Sequence, residues 1–388
     1  MTINKKIRMG MIGGGEGSFI GKVHRHAAAL DGNIELVCGT FSSKPQRSID
    51  SGKAMSLPEE RCYPDINTML TKEAALPADE RMQFVAIVTP NHLHFPAAKQ
   101  SLLAGFHVMS DKPATMSLNE ALELEKIVEQ TGLLYGLTHT YLGYPLVQRA
   151  KELVDTKQIG TVRKVIAEYT QGWLSSADDE GSKQASWRLD PKQAGVSCCM
   201  GDIGVHAANL VEFITGEHIT ELSADLGSVV EGRVLDDDGS VLLRLANNAR
   251  GTLMASQIAI GEENNLSIRV YGDKASLHWR QEEPNSLTIK YGDRSMVTER
   301  VGYAGIGAEH LTRLPSGHPE GYIEAFANIY QSFVGQIRAF ESGNKPSDDI
   351  FMPGIKEAIR GMAFIENVVA ADRSDKKWHT VVTTHSPL

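Results

Sequence analysis

The chain has 388 residues, 41% of them hydrophobic, which is enough to bury at least one large core and to form two domains. Its formal net charge is -9 and its basic residues are scattered, which argues against a nucleic-acid partner or a polybasic membrane patch. No segment has the apolar core of a signal peptide or approaches the roughly 20 apolar residues of a membrane helix, so we expect a cytoplasmic protein without a membrane partner.

The first third of the sequence alternates predicted strands with predicted helices. The predicted strands are "KIRMGMIG", "IELVCGTF", "FVAIVTP", "HVMSDKP" and "LLYGLTHTY". The predicted helices are "FIGKVHRHAAAL", "DINTMLTKEAAL", "FPAAKQSLLAGF" and "LNEALELEKIVEQTG". Because strict alternation of this kind requires right-handed crossovers, it predicts an α/β domain with a parallel, doubly wound sheet over residues 1–141.

A glycine-rich loop, "MIGGGEGSFIGKVHR", joins the first predicted strand to the first predicted helix. Gly13 and Gly15 fit the tight turn and the close backbone approach of a turn that binds a dinucleotide pyrophosphate. The third glycine position belongs either to Gly21, after three inserted residues, or to Ser18, with an earlier helix start. In both cases backbone amides at the helix start are expected to meet an anion, those of Ser18, Phe19 and Ile20, and the alternative is that the lengthened loop folds over the cofactor as a lid. The glycines alone also fit a turn without a ligand.

The end of the second strand usually carries the carboxylate that binds the adenosine ribose 2′-OH in NAD enzymes. Here the stretch reads "CGTFSSKPQRS" and has no carboxylate between Cys38 and Ser48. Four side chains in it suit a 2′-phosphate instead, namely Ser42, Ser43, Lys44 and Arg47. A solvated loop fits the same composition, so the sequence leaves the choice between NAD and NADP open.

Two further motifs follow predicted strands, at the sheet edge where parallel α/β proteins bind their ligands. The first is "TPNHLH", whose candidate cofactor contacts are Thr89, Asn91, His92 and His94. The second is "DKP", in which Pro113 stops the strand and directs Asp111 and Lys112 into the crevice. A surface lysine in a turn is the structural alternative for Lys112.

The pattern changes after residue 141 and predicts a second, α+β domain over residues 142–388. The helical segment "LVQRAKELVDTKQIG" leads into "TVRKVIAEYTQGWL", and residues 219–301 alternate polar and apolar side chains between turns such as "DDDG", "NNARG" and "YGDKA". This alternation predicts a large, mostly antiparallel open sheet with one wet face. Two late helices follow, "HPEGYIEAFANIYQSFVGQIRAFESG" and "PGIKEAIRGMAFIENVVAADRS".

The segment "GDIGVHAANLVEF" places Asp202 and His206 four residues apart and therefore on one helix face. A carboxylate beside an imidazole orients the ring and suits general acid/base chemistry near neutral pH. The structural alternative is a capping aspartate and a packed histidine.

The substrate side is less distinctive. Trp173, Trp187 and Arg188 precede the Asp202 helix and suit stacking and hydrogen bonding to a polyol ring, although tryptophans at such junctions also pack as core. His318 begins a late helix, where a capping role is the alternative. The four cysteines have no C-x-x-C spacing and the histidines no metal-ligand spacing, so neither a disulfide scaffold nor a metal is expected.

Taken in this order, the motifs resemble the Gfo/Idh/MocA oxidoreductases, the glucose–fructose oxidoreductase and inositol dehydrogenase group. The resemblance covers essentially the whole chain: "TPNHLH" matches the family's TPNxxH, "DKP" replaces EKP, and "GDIGVH" carries Asp-x-x-x-His. The longer glycine loop departs from the usual family turn. The resemblance implies an N-terminal Rossmann domain and hydride transfer between NAD or NADP and a ring hydroxyl carbon of a sugar, glycoside or inositol.

The resemblance also implies residue roles. His206 is the expected base, Lys112 polarises the developing carbonyl oxygen, and Asp202 orients the substrate or His206. Family members commonly pair their open sheets, so a homodimer or homotetramer is expected. Two alternatives stay open, an NAD-dependent redox-neutral glycosidase on the same fold and a non-enzymatic nucleotide-sensing module.

Overall fold

The computed structural model describes residues 5–176, 183–303, 305, 307–345 and 351–384, and the chain forms two compact units. The first unit contains the chain up to His139 together with Phe326–Ala358, and the second contains Thr140–Ala325 and the chain from Ile359 onward. The domain boundary predicted from the sequence, between residues 141 and 142, assigns the segment 326–358 to the second domain. In the structure this segment belongs to the first unit and supplies aromatic side chains to it. Phe333 packs edge-on against Phe84 with ring centroids 5.4 Å apart.

The first unit is built on a five-stranded parallel sheet with strand order β2-β1-β3-β4-β5. Its strands are β1 (Ile7–Gly13), β2 (Ile34–Thr40), β3 (Phe84–Val88), β4 (His107–Ser110) and β5 (Tyr135–Leu137). β3 is central and buried along its whole length, which explains its continuous apolar run. The predicted parallel, doubly wound sheet is confirmed.

Five helices connect these strands. They are α1 (Phe19–Ala29), α2 (Pro45–Ala54), α3 (Ile66–Ala75), α4 (His94–Leu103) and α5 (Leu118–Thr131). Local sequence sets their ends: Asp65 caps α3 by accepting the Thr68 amide, Ser117 caps α5 by accepting the Glu120 amide, and Gly132 ends α5 at φ +65°. α2, which Pro45 opens, is a helix that the apolar periodicity of the sequence does not show.

The second unit is built on a nine-stranded sheet with strand order β13-β12-β11-β10-β6-β9-β8-β7-β14. Its strands are β6 (Val162–Thr170), β7 (Ile219–Gly227), β8 (Asp238–Leu245), β9 (Arg250–Ser256), β10 (Asn265–Gly272), β11 (Ala275–Arg280), β12 (Ser286–Tyr291), β13 (Val297–Arg300) and β14 (His379–Thr380). All neighbours are antiparallel except β6 and β9, which are parallel. The predicted large, mostly antiparallel sheet is confirmed, with β6 at its centre.

The helices of the second unit lie around this sheet. They are α6 (Pro145–Asp155), α7 (Lys183–Arg188), α8 (Pro191–Ala194) and α9 (Val205–Thr215). Two longer helices, α10 (Tyr322–Glu341) and α11 (Ile355–Asp372), each contain a boundary between the units. α9 is apolar and buried on nearly every side, so it belongs to the core of its unit. In the part of the chain that the structure describes, no helix is long and apolar enough to cross a membrane.

Candidate functional site

The glycine-rich loop closes a tight turn between β1 and α1. Gly13, Gly14 and Gly17 have φ values of +83°, +71° and +75°, which side chains rarely tolerate. Ser18 caps α1 by accepting the Gly21 amide at 3.2 Å. A Cβ on Gly21 would lie 2.3 Å from the Gly14 Cα, so Gly21 allows helix and strand to touch. The two sequence alternatives therefore combine: Ser18 starts the helix and Gly21 makes the close contact.

Two of the three predicted amide donors, those of Phe19 and Ile20, lie in the first turn of α1. The Ser18 amide donates to the Gly15 carbonyl at 3.0 Å and closes the inserted turn, so it differs from the predicted phosphate contact. The amides of Phe19 and Ile20 open α1, before intrahelical acceptors are available, and the positive end of the helix dipole lies there. This start of α1 is suited to a pyrophosphate.

Arginine side chains brace the turn from two directions. Arg25 donates to the Gly14 carbonyl at 2.6 Å, and Arg47 donates to the Glu16 carbonyl at 3.1 Å. Arg47 thus binds the backbone of the glycine loop, whereas the sequence suggested a 2′-phosphate contact. Ser42 accepts the Lys44 amide at 3.2 Å, and the side chains of Ser43 and Lys44 are exposed beside β2.

The segment after β3 leaves buried polar atoms without a partner. Thr89 Oγ1 and His92 Nδ1 are buried and have no hydrogen-bond partner among the described residues. Asn91 is buried in the 3-10 turn Asn91–Leu93. Because orphaned buried polar atoms are costly, Thr89 and His92 fit a polar ligand at the carboxyl edge of the sheet, as a nicotinamide dinucleotide requires.

His94 has a structural role that differs from the predicted cofactor contact. Its side chain is 1% exposed, with Nδ1 2.7 Å from the Pro113 carbonyl and Nε2 2.8 Å from the Thr89 carbonyl. Burial lowers the pKa of the imidazole, although Asp111 and the two carbonyls oppose that shift. Both ring nitrogens are therefore used within the fold, where His94 joins the loop after β3 to the loop after β4.

Asp111 holds the turn that presents Lys112. Its Oδ1 accepts the Lys112 amide at 2.9 Å and the Thr138 hydroxyl at 2.8 Å. The Lys112–Pro113 peptide is cis. Asp111 thus acts on the backbone of its own loop, and its side chain is committed there and not to a cofactor.

In the second unit, Asp202 lies in a π-helical turn, Met200–Gly204, directly before α9. The sequence predicts one regular helix here, and π turns of this kind often occur at functional sites. Asp202 Oδ2 accepts Arg188 Nε at 2.9 Å and Gln257 Nε2 at 3.0 Å. The Asp202 carboxylate is therefore charge-paired and fixed in orientation.

The turn is anchored by Asp236, a residue that the sequence shows only as part of the turn "DDDG". Its carboxylate accepts the amides of Cys198 and Met200 and the hydroxyl of Ser197, each at 2.9 Å. Burial raises the pKa of Asp236, against the opposing effect of these donors. The carboxylate serves as a cap from a distant segment, and no local spacing signals it.

The predicted substrate residues Trp173, Trp187 and Arg188 come together at Asp202. The Arg188 guanidinium carbon lies 4.3 Å from the ring centroid of Trp187 and 5.7 Å from that of Trp173. His318 is exposed, with Nδ1 3.2 Å from the Pro315 carbonyl, and makes no contact with this cluster among the described residues. The aromatic and guanidinium surface therefore lies beside the Asp202 carboxylate.

His206 is 8% exposed and packs against two tyrosines that the sequence did not single out. Its ring is edge-on to Tyr141 at 4.8 Å and tilted to Tyr169 at 6.3 Å. The hydroxyls of Tyr141 and Tyr169 are hydrogen-bonded, and Tyr169 donates to Asn264 Oδ1 at 2.7 Å. Burial raises the pKa of both phenols, so they stay protonated and act as hydrogen-bonding groups.

A further polar side chain, Gln171, joins the hydrogen-bonded group formed by Tyr141, Tyr169 and Asn264. Gln171 donates to Asn264 Oδ1 at 2.7 Å and accepts Trp173 Nε1 at 2.8 Å. The available signals were "THTY" directly after β5 and "YTQGW" at the end of β6, both at strand ends. Within the described ranges, no three His, Cys, Asp or Glu side chains come together as metal ligands would.

Family models match both parts of the chain. Residues 7–139 match the oxidoreductase family with an NAD-binding Rossmann fold, and residues 147–278 match the GFO/IDH/MocA C-terminal domain. The uncharacterised oxidoreductase YfiI of Bacillus subtilis (strain 168) is 33% identical over 388 residues, covering 97% of each chain.

Two solved structures of an inositol dehydrogenase homologue from Azotobacter vinelandii are similar along nearly the whole chain. Its complex with NAD+ is 31% identical with a TM-score of 0.92, covering 98% of each chain. Its complex with NADH and myo-inositol is 30% identical with a TM-score of 0.90, covering 97% of this chain and 98% of that one. The chain therefore belongs to the Gfo/Idh/MocA family and is an oxidoreductase that uses NAD or NADP.

Proposed function

We propose that this oxidoreductase transfers a hydride between NAD(P) and a ring hydroxyl carbon of a sugar, glycoside or inositol. The observation that carries the proposal is the cluster in the second unit, where Asp202, paired with Arg188 and Gln257, lies beside an aromatic surface. Charged hydrogen-bond acceptors next to aromatic faces suit a ring with several hydroxyl groups. The similar Azotobacter structure with NADH and myo-inositol supports the same substrate class.

The residues of the first unit fit the nucleotide. We assign the amides of Phe19 and Ile20 to the pyrophosphate and the side chains of Thr89 and His92 to polar groups of the cofactor. Asn91 lies in the same turn as His92 and belongs with them. When bound, the nicotinamide supplies the hydride acceptor for the oxidation.

His206 is the proposed proton acceptor and Lys112 the proposed cation that stabilises charge on the substrate oxygen. The buried edge-on contact with Tyr141 fixes the His206 ring. The turn held by Asp111 fixes the backbone of Lys112. The cofactor carries out the hydride chemistry itself. The protein must position the substrate and supply one proton acceptor and one cation.

Asp202 has a different proposed role. Because Oδ2 already accepts from Arg188 and Gln257, this carboxylate is paired with a cation and fixed in orientation. We therefore assign it to orienting substrate hydroxyls as a hydrogen-bond acceptor, with the base function left to His206.

A substrate panel tests the proposal directly. The protein is incubated with inositols, hexoses and glycosides, each with NAD and with NADP, and absorbance of the reduced nicotinamide is followed. We expect net formation of reduced cofactor with at least one cyclic polyol. Glycosidic cleavage without net reduction would replace the proposal with the redox-neutral glycosidase, and tight nucleotide binding without either reaction would replace it with a nucleotide sensor.

We also propose that the protein pairs through the outer face of its nine-stranded sheet. Ile166, Thr252 and Leu242 lie next to one another across β6, β9 and β8, and Leu242 is 47% exposed. Apolar side chains in the middle of an open sheet favour a covering surface. Light scattering on the full chain is expected to give a dimer or tetramer, and a monomer would contradict this assignment.

A further inference from the structure

We propose that His24 is a positioning residue that acts through Asp111 to hold the loop bearing Lys112 in its working conformation. The inference rests on the proposed function, in which Lys112 stabilises charge on the substrate oxygen. It assigns a role to His24 of the opening motif, a side chain that the glycine turn itself does not use.

His24 lies inside the first unit, on the face of α1 turned away from solvent. Its side chain is 0% exposed, and its ring is edge-on to Phe326 with centroids 4.6 Å apart. Nδ1 lies 2.7 Å from the Tyr330 hydroxyl, and Nε2 lies 3.9 Å from Asp111 Oδ2. A histidine that only fills space does not need a polar partner on one side and a carboxylate on the other.

The Tyr330 hydroxyl selects the tautomer of His24. Burial, together with the Asp111 charge, raises the pKa of the Tyr330 phenol well above its ordinary value, so the phenol keeps its proton. We assign the phenol as the donor to Nδ1, which leaves the ring proton on Nε2, the nitrogen that faces Asp111. Nε2 has no hydrogen-bond acceptor among the described residues, and the oxygen it faces is Asp111 Oδ2.

The two oxygens of Asp111 divide their work. Oδ1 accepts the Lys112 amide and the Thr138 hydroxyl, and Oδ2 faces His24. Burial alone would raise the pKa of this carboxyl, but the facing His24 ring and the charge of Lys112 hold it well below its ordinary value. An ionised Asp111 is the form that accepts both donors at Oδ1, so His24 preserves the geometry of the turn before Lys112.

Several groups besides His24 affect the pKa of Asp111, and a substitution at His24 leaves them in place. The titratable groups around it are His24 on α1, His94 on α4, Lys112 in its own loop, Tyr135 and His139 at β5, and Tyr330 on α10. Burial lowers the pKa of His139 to about 3, so that ring is neutral at physiological pH. His24 is thus the histidine whose removal most directly weakens the ionised form of Asp111.

Three substitutions separate this role from simple packing. His24→Gln keeps an N–H near the position of Nε2, whereas His24→Asn reaches only the Tyr330 side. Tyr330→Phe removes the hydroxyl that fixes the tautomer while keeping the ring. His26→Asn, on the exposed side of α1, is the matched control.

The first readout is the Asp111 carboxyl resonance in the protein without cofactor, assigned with Asp111→Asn. A depressed carboxyl pKa means that the ionised form is lost only as pH falls through that low value. We expect His24→Asn to raise the Asp111 pKa by about one unit or more, His24→Gln to stay near wild type, and Tyr330→Phe to fall between them. An Asp111 titration in His24→Asn that matches wild type and His26→Asn would overturn the inference.

The second readout is the pH dependence of turnover. In His24→Asn the loss of kcat on acidification is expected to begin at a higher pH than in wild type, because Asp111 protonates earlier as pH falls. In that acidic range kcat is expected to be about ten-fold or more below the wild-type value with little change in the KM for the polyol, whereas at neutral pH, where Asp111 is ionised in both proteins, the two kcat values converge. If His24→Asn lowers Tm but loses kcat on acidification at the same pH as wild type, His24 is only a packing residue.

The two readouts distinguish failure of this inference from failure of the proposed function. If wild-type protein oxidises no polyol, the proposed function fails, while the carboxyl titration still decides whether His24 controls Asp111. If wild type is active and neither the titration nor the acid limb moves, only the role of His24 fails. Should His24→Asn not fold, Tyr330→Phe decides: an Asp111 pKa above that of wild type and His24→Gln supports the inference, and an unchanged Asp111 pKa overturns it.

Discussion

Arg188 donates from Nε to Asp202 Oδ2 at 2.9 Å while its guanidinium carbon lies 4.3 Å from the ring centroid of Trp187. One side chain thus joins an anion to an aromatic surface, and the planar guanidinium can serve both at once. Lysine carries the charge without the planar group, so the two functions can be separated by substitution.

Arg188→Ala is expected to lower kcat/KM for the polyol by about ten- to a hundred-fold, because a charge-assisted hydrogen bond to Asp202 is lost. Arg188→Lys restores part of the charge but not the stacking, and should fall between alanine and wild type. Steady-state kinetics with each variant checks this. Equal kcat/KM in Arg188→Lys and wild type would show that the stacking on tryptophan contributes nothing.

Lys112→Ala and His206→Ala are each expected to lower turnover by about 10²–10⁴-fold, the usual size of a lost acid/base or charge-stabilising group. Cofactor affinity, measured by calorimetry, should change little in either variant. Lys22→Ala and His26→Ala, which are exposed on α1, are the matched controls. Near-normal turnover in either active-site variant would remove that residue from the proposed reaction.

Gly21→Ala tests the contact between α1 and the glycine turn. The new Cβ would meet the Gly14 Cα at 2.3 Å, a clash between backbones that no side-chain rotation relieves. We expect a loss of about 1–3 kcal/mol in the free energy of unfolding and weaker cofactor binding. Gly292→Ala, with no atom within 4 Å of its Cβ, is the control, and equal denaturation midpoints for the two would contradict the prediction.

Lys44→Ala and Arg47→Ala should affect cofactor choice differently. Lys44 is exposed beside the end of β2, so its loss should weaken NADP about ten-fold while leaving NAD nearly unchanged. Arg47 holds the Glu16 carbonyl, so its loss should loosen the glycine loop and weaken both cofactors alike. Dissociation constants for the two nucleotides measure this. A cofactor-selective effect of Arg47→Ala would return that residue to the 2′-phosphate.

Asp236→Ala is expected to destabilise the π turn that precedes α9. The amides of Cys198 and Met200 would be left buried without an acceptor, at about 1–3 kcal/mol each. Turnover should fall as well, because the π turn carries Asp202. Denaturant unfolding beside the exposed control Asp225→Ala checks the stability change, and a free energy equal to that control would exclude the anchoring role.

The same residue gives a pH dependence with a definite sign. Burial raises the pKa of Asp236, so the folded protein holds this proton more tightly than the unfolded chain does. Its contribution to stability therefore grows as pH falls towards the folded pKa and is smallest at higher pH. Unfolding free energies of wild type and Asp236→Asn, compared from neutral to mildly acidic pH, should diverge in this direction.

The sequence predicts both sheets because strand alternation and one-sided burial are local patterns. It also indicates Trp173, Trp187 and Arg188 as candidate substrate residues before the Asp202 helix, but not that Arg188 pairs with Asp202. It does not predict that His94 turns both ring nitrogens onto carbonyls, because the Pro113 carbonyl comes from a different loop.

The residues that sequence reasoning missed depend on distant partners. Tyr141 and Tyr169 pair across 28 positions, and Asp236 reaches the Cys198 amide across 38. Neither pair of residues has a fixed separation along the chain, so a single sequence contains no pattern that predicts these contacts. In the glycine loop, the sequence leaves open whether Gly21 or Ser18 takes the third glycine position. The backbone conformation shows that Ser18 caps α1 and that Gly21 contacts Gly14.

The segment 326–358 also sets an order of events during synthesis. Tyr330 and Phe333 are fully buried in the first unit, yet they follow its last strand by nearly two hundred positions. A ribosome therefore completes all five strands of the parallel sheet long before it supplies the helix that buries their aromatic face. Until most of the second unit has been synthesised, the nascent first unit therefore lacks the α10 side chains that pack against Phe84 and His24.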